Sequence, residues 1–226
     1  MLEAKSGIEP PLYPLTCRDR RYPAAALETF VGSYDTPLGF VTIRNDAGKL
    51  HLQAGGQRLR LSPDAEGCFH LEYRLLGLLA LDLGKLGEYA YTRARIAGRE
   101  VLLARNEGGW HLAGERLDPV PISPRWQARL GAYDYVGGDG LIAGLIGRTE
   151  LKEENGFLLV ETASRDGVQQ LALLPLDDAT ALVRGLGRGR GETVQVRHDG
   201  GQESMHYSGM TFRRTDTHTC SFELSC

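Results

Sequence analysis

The chain has 226 residues, 42% hydrophobic and 24% charged, an ordinary globular balance that excludes a chain disordered throughout. A formal net charge of -3 at pH 7 gives no overall field that would draw it to nucleic acid or to an anionic membrane. The length admits one large domain or two small ones.

From the N-terminus, residues 1–26 carry acids and prolines where an export signal needs a basic start and an apolar run of about 7–15 residues. They read as a tail or linker, and a cytoplasmic location is the expectation. Phe40-Val41-Thr42-Ile43 and Leu50-His51-Leu52-Gln53 flank Asn45-Asp46-Ala47-Gly48, which reads as a hairpin of half-buried strands. The leucine-rich stretch from Leu75 to Leu86 is broken by Gly77, Asp82, Gly84 and Lys85. It falls short of the roughly 18 apolar residues of a membrane span, so it reads as buried core and no span is expected. Alternation resumes at Tyr89–Ala94, Glu100–Leu103 and Trp110–Leu112, and no long helix is predicted. Asp118 to Pro124 then holds three prolines, a stiff and extended connector.

Beyond the connector the pattern repeats. FVGSYD, with Gly32 and Tyr34, is answered by RLGAYD, with Gly131 and Tyr133, 99 residues later. Gly48-Lys49-Leu50-His51-Leu52 is answered by Gly156-Phe157-Leu158-Leu159-Val160, and Leu61-Ser62-Pro63-Asp64 by Leu174-Pro175-Leu176-Asp177. The growing separation fits a duplication with loop insertions in the second copy. Each copy has room for roughly eight strands of about five or six residues. An open sheet of that size leaves edges prone to aggregation, so closure is expected. The predicted fold is all-β, with two tandem small antiparallel barrels. Residues 27–119 form the first module, 120–125 the connector, 126–214 the second module and 215–226 a C-terminal tail. An eight-stranded barrel is just wide enough to be filled by side chains or to hold one small ligand.

The stretch RGLGRGRGETVQVRHDGG, residues 184–201, is the densest run of glycine and arginine. A dinucleotide fingerprint would need a third glycine where Arg190 stands and a helix where Glu192 to Arg197 alternate as a strand. The chain also lacks the Gly-Lys-Ser or Gly-Lys-Thr of a phosphate loop. Without interleaved aromatics, Arg184, Arg188 and Arg190 do not make a nucleic-acid surface. The stretch reads as a loop and a hairpin that turns at His198-Asp199-Gly200-Gly201.

None of the nine serines lies in S-x-x-K or G-x-S-x-G, and there is no K-T-G. His51, His70, His111 and His206 alternate with apolar residues on predicted strands without metal-ligand spacing, so no metal and no cofactor is expected. Cys17, Cys68, Cys220 and Cys226 lack a C-x-x-C pair and read as thiols of a reducing compartment, with a Cys220–Cys226 bridge as the alternative under oxidation. Phe30 and Tyr34 open the first copy, and Trp126, Tyr133 and Tyr135 open the second. These five are core plugs or the interior contacts of a small apolar ligand.

Several segments resemble a known family: FHLEYRLLG (69–77), Ala97-Gly98-Arg99-Glu100, Gly114 to Pro119, Pro124 to Tyr133, Gly187 to Val194 and Tyr207 to Arg214. In order and spacing they are similar to the C-terminal accessory region of serine hydrolases related to class C β-lactamases, penicillin-binding proteins and D-aminopeptidase. The resemblance covers about residues 27–214 and implies lipocalin-like barrels attached behind a catalytic domain. Such modules pack on that domain, shape access to its active site or support self-association. The S-x-x-K serine and lysine and the tyrosine motif of the catalytic domain have no counterpart in this chain, so the resemblance carries over no catalytic residue. It implies a non-catalytic accessory part of a hydrolase, such as a truncated gene product would be; a stand-alone binder of a small apolar ligand is the alternative.

Overall fold

The computed structural model describes residues 24–64, 68–75, 79–81, 88–137, 148–164, 167–185, 190–199 and 202–215. A short helix, α1 (Ala24–Glu28), leads into β1 (Gly32–Thr36), β2 (Gly39–Asp46), β3 (Lys49–Ala54), β4 (Gln57–Pro63) and β5 (Phe69–Leu75). Then come β6 (Leu79–Leu81), β7 (Ala90–Ile96), β8 (Arg99–Asn106) and β9 (Gly109–Leu117). After the connector, α2 (Pro124–Gln127) leads into β10 (Gly131–Tyr135), β11 (Thr149–Glu154), β12 (Phe157–Ser164) and β13 (Gly167–Pro175). The last four strands are β14 (Thr180–Val183), β15 (Thr193–Asp199), β16 (Gln202–Tyr207) and β17 (Met210–Arg214).

The protein is two closed antiparallel eight-stranded barrels in tandem. In the first, β1 to β5 and β7 to β9 form the ring, sealed where Tyr34 on β1 stands opposite Arg116 on β9, and β6 pairs with β5 outside it. In the second, β10 to β17 pair in chain order, and Tyr133 on β10 faces Arg214 on β17 at the seam. Closure pairs the strand edges within each ring, which removes the aggregation hazard of open sheets. The side-chain burial of residues 73–87 is outside the described set, and the reading of the leucine-rich stretch as core falls there. Cys17, Cys220 and Cys226 are likewise outside it, while Cys68 is a buried thiol.

The duplication is physical as well as textual. The β2–β3 turn has Ala47 and Gly48 at φ 51° and 80°, and the β11–β12 turn has Asn155 and Gly156 at 52° and 79°. Two successive left-handed residues make the tight hairpin turn whose twist matches the strands. The Tyr34 hydroxyl donates to the Phe30 carbonyl at 2.9 Å, and the Tyr133 hydroxyl donates to the Arg129 carbonyl at 2.8 Å. Each buried tyrosine thus ties its first strand to the helical turn four residues back. Burial pushes the Tyr34 phenol up to about 12, so it remains a neutral donor.

The barrels share a small core of Phe40, Leu117, Phe157, Leu159 and Ala172, with the Phe40 and Phe157 rings 4.9 Å apart. Two glycines permit the approach: a Cβ on Gly39 would lie 2.6 Å from the Gln170 carbonyl oxygen, and one on Gly55 2.5 Å from that of Val168. Beside this core, Arg190 Nε donates to Asp35 Oδ2 at 2.7 Å and Nη2 to the Thr36 carbonyl at 3.2 Å. The Asp35 side chain is 0% exposed and that of Arg190 8%. Burial raises the Asp35 carboxyl above its ordinary value, and the Arg190 guanidinium opposes that rise. Gly185, at φ +104°, lies so close that a Cβ there would fall 2.0 Å from Asp35 Oδ2.

The glycine- and arginine-rich stretch is therefore more than a loop before a hairpin. Strands β15 and β16 follow it as expected, but its two described ends bind across the junction. Arg190 pairs with Asp35, and Arg184 donates to the Asp118 carbonyl of the connector. Residues 186–189 and the turn glycines 200–201 lie outside the described residues. Asp134, the counterpart of Asp35 in the second copy, is exposed, so one duplicated position has taken two roles.

Removing one member of a buried ion pair strands the other. Arg190→Met is expected to destabilise the chain by about 3–5 kcal/mol, whereas Asp35→Asn combined with Arg190→Met is expected to cost well under the sum of the single losses. Denaturant unfolding of the wild type, both single variants and the double variant checks this; additive losses would show that the two groups are not coupled.

Candidate ligand-binding cavity

Side chains alternate across a strand, so every second residue of a barrel strand points inward. In the first barrel these positions are apolar: Val41 and Ile43 on β2, Leu52 on β3, Leu61 on β4, Phe69 and Leu71 on β5, Tyr91 on β7, and Leu102 and Ala104 on β8. They do not fill the interior. They enclose a cavity of about 370 Å³, which Phe30 also lines while packing its ring 4.7 Å from that of Phe69.

The rim of the cavity is formed by Pro37 and Leu38 in the β1–β2 turn, by Tyr89, and by His111 and Leu112 near the start of β9. Leu38 is 46% exposed and Leu112 44%, an unusual exposure for large aliphatic side chains that are adjacent to a cavity. Tyr89 meets His111 edge to face at 6.3 Å, and His111 Nε2 lies 2.9 Å from Asn106 Oδ1. Burial pushes the Tyr91 phenol up to about 12. The wall therefore carries a neutral hydroxyl at every physiological pH, and the cavity is an apolar chamber with a few hydrogen-bonding groups near its rim.

A network of charges stands apart from this chamber. Glu100 accepts from Arg116 at 2.7 Å, Arg93 at 3.1 Å and Arg95 at 3.4 Å. Although burial opposes its charge, the three guanidinium groups hold the Glu100 carboxyl below its usual range. None of these four residues lines the cavity.

Of the five aromatic residues singled out from the sequence, Phe30 alone lines a cavity. Tyr34 and Tyr133 are buried and donate to the carbonyls four residues before them. Trp126 is fully buried, its Nε1 donating to the Asp177 carbonyl at 2.7 Å and its ring 5.1 Å from the Arg129 guanidinium. Tyr135 packs edge-on against Phe212 at 5.9 Å. Among the lining residues that sequence reasoning did not single out as site candidates are Tyr89, Tyr91, His111 and the two rim leucines. Alternation marks Tyr89 and Tyr91 as sharing a face, but one strand alone does not tell inside from outside.

The structure brings together one serine and histidine that sequence spacing did not single out. Ser204 Oγ lies 2.9 Å from His206 Nε2, and Thr211 Oγ1 lies 3.1 Å from His206 Nδ1. Ser204 is 3% exposed, and neither it nor His206 lines any cavity found among the described residues. A nucleophile needs both a base and room for the reacting carbonyl, and Ser204 is almost fully buried beside its histidine. His70 pairs with Asp64 at 2.9 Å. Among the described residues no three His, Cys, Asp or Glu side chains come close enough to hold a metal ion. No helix among them is long and apolar enough to cross a membrane.

A fluorophosphonate serine probe is expected to leave Ser204 unlabelled in the native chain; stoichiometric labelling, read by intact mass, would make the Ser204–His206 pair a reactive site. The chain matches no family model and no curated protein.

Proposed function

We propose that the protein binds a small apolar molecule inside its first barrel. The observation that carries this reading is the cavity of about 370 Å³, walled by aliphatic and aromatic side chains and rimmed by exposed Leu38 and Leu112. A barrel core that served packing alone would be expected to fill its interior, because voids forfeit dispersion contacts and lower stability. Scaled from a cavity of about 150 Å³ that accepts benzene, the space suits a ligand of roughly fifteen non-hydrogen atoms. Burying about 250 Å² of apolar ligand surface at ~25 cal/mol/Å² contributes about 6 kcal/mol before the costs of association. That gain bounds the dissociation constant at roughly 40 μM or weaker. On this reading the first barrel is lipocalin-like in use.

The accessory role beside a serine hydrolase, implied by the sequence resemblance, is the second reading. What favours it is the exposure of Leu38, Trp110 and Leu112, all at or near the rim of the first barrel. A catalytic domain seated over that rim would cover them and control entry to the cavity. The two readings part on the behaviour of the chain alone, since binding by the first barrel needs no partner.

The neutral dye N-phenyl-1-naphthylamine is expected to brighten saturably on mixing with the chain and to be displaced by medium-chain alcohols. Ala104→Leu, which places three more carbon atoms in the wall, is expected to weaken dye binding about tenfold or more without lowering the melting temperature. If the dye stays dark at millimolar protein, or if Ala104→Leu binds it as well as the wild type, the first barrel is not the site.

A further inference from the structure

We infer that the interior of the second barrel is a separate binding site, for a small neutral molecule with an apolar body and one hydrogen-bonding group such as an alcohol or an amide. The cavity there measures about 270 Å³. Leu173, Val183 and Met205 supply apolar wall, and Thr149, Gln169 and Arg190 bring polar groups to it. Thr149 is 1% exposed, and its Oγ1 is buried without a hydrogen-bond partner. Buried hydroxyls are almost always paired, and an orphaned one at a cavity wall marks where a ligand atom would be held.

Charge decides the kind of group. Arg190 spends Nε on Asp35 and Nη2 on the Thr36 carbonyl, and Nη1 makes no hydrogen bond among the described residues. Asp35 already neutralises this guanidinium from a fully buried position. A ligand carboxylate would add a second buried negative charge with no cation to match it, and a ligand ammonium would be repelled by Arg190. A neutral hydroxyl or carbonyl meets neither penalty. Scaled from the benzene-sized cavity of about 150 Å³, this space suits roughly ten non-hydrogen atoms.

The chain carries its own reporter. Met205 and Met210 line this cavity, and no methionine among the described residues lines the first. In the full chain labelled with methyl-13C methionine, titration with benzyl alcohol is expected to shift both of those methyl signals saturably. Thr149→Val, close to isosteric and free of the orphaned hydroxyl, is expected to fold and to weaken benzyl alcohol roughly 3–10-fold. Toluene, which lacks the hydroxyl, is expected to bind the variant at least as well as the wild type. Methyl signals that stay in place up to the solubility limit of benzyl alcohol would overturn the site. An equal change in affinity for both ligands would overturn the polar group. Dye fluorescence reads the first barrel and methionine methyls the second, so failure of this site is distinguishable from failure of the other.

Discussion

A carboxylate with no access to water has to be met by a cation, and Asp35 is that carboxylate. It belongs to the first strand of the first barrel, while the guanidinium that meets it, Arg190, comes from the approach to β15 in the second. The ion pair therefore requires both barrels to be folded and in place. It also dictates glycine at position 185, because the backbone there passes closer to Asp35 than any side chain would allow. The shared core of Phe40, Leu117, Phe157, Leu159 and Ala172 supplies area but little direction; the buried ion pair supplies direction, which apolar contact alone does not.

That junction also sits between the two cavities. Arg190 lines the second, and Thr36, whose carbonyl it holds, lines the first. Two copies of one ancestral pattern thus present different interiors. The first is apolar to the rim. The second has the same outline but admits a threonine hydroxyl, a glutamine and an arginine to its wall. A change in a few inward-facing residues is sufficient to give two barrels of one outline different interiors, because a barrel wall tolerates substitution at one inward position without disturbing the strand ladder that holds it.

In each barrel a buried tyrosine of the first strand is hydrogen-bonded to the carbonyl four residues before it, and the residue facing that tyrosine across the seam is an arginine in both, Arg116 and Arg214. Tyrosine suits this position because its ring packs in the core while its hydroxyl satisfies a carbonyl that the short helical turn leaves unpaired. This also accounts for Tyr34 and Tyr133 serving the fold and not lining either cavity.

What the sequence by itself determined is the strand grammar. Period-two alternation, turn residues such as Asn45-Asp46-Ala47-Gly48, and the 99-residue echo of FVGSYD are local signals, and local signals survive in one dimension. Those signals led to two antiparallel barrels and to a boundary at the prolines. Only the tertiary structure decided which face of each strand turns inward, whether the interior is filled, and which partner an exposed-looking arginine finds. Tyr89 and Tyr91 line a cavity while Tyr34 does not, and Arg190 meets Asp35 across 155 residues of chain. Facing, filling and long-range pairing depend on how distant segments come together on closure, and no single segment carries that information.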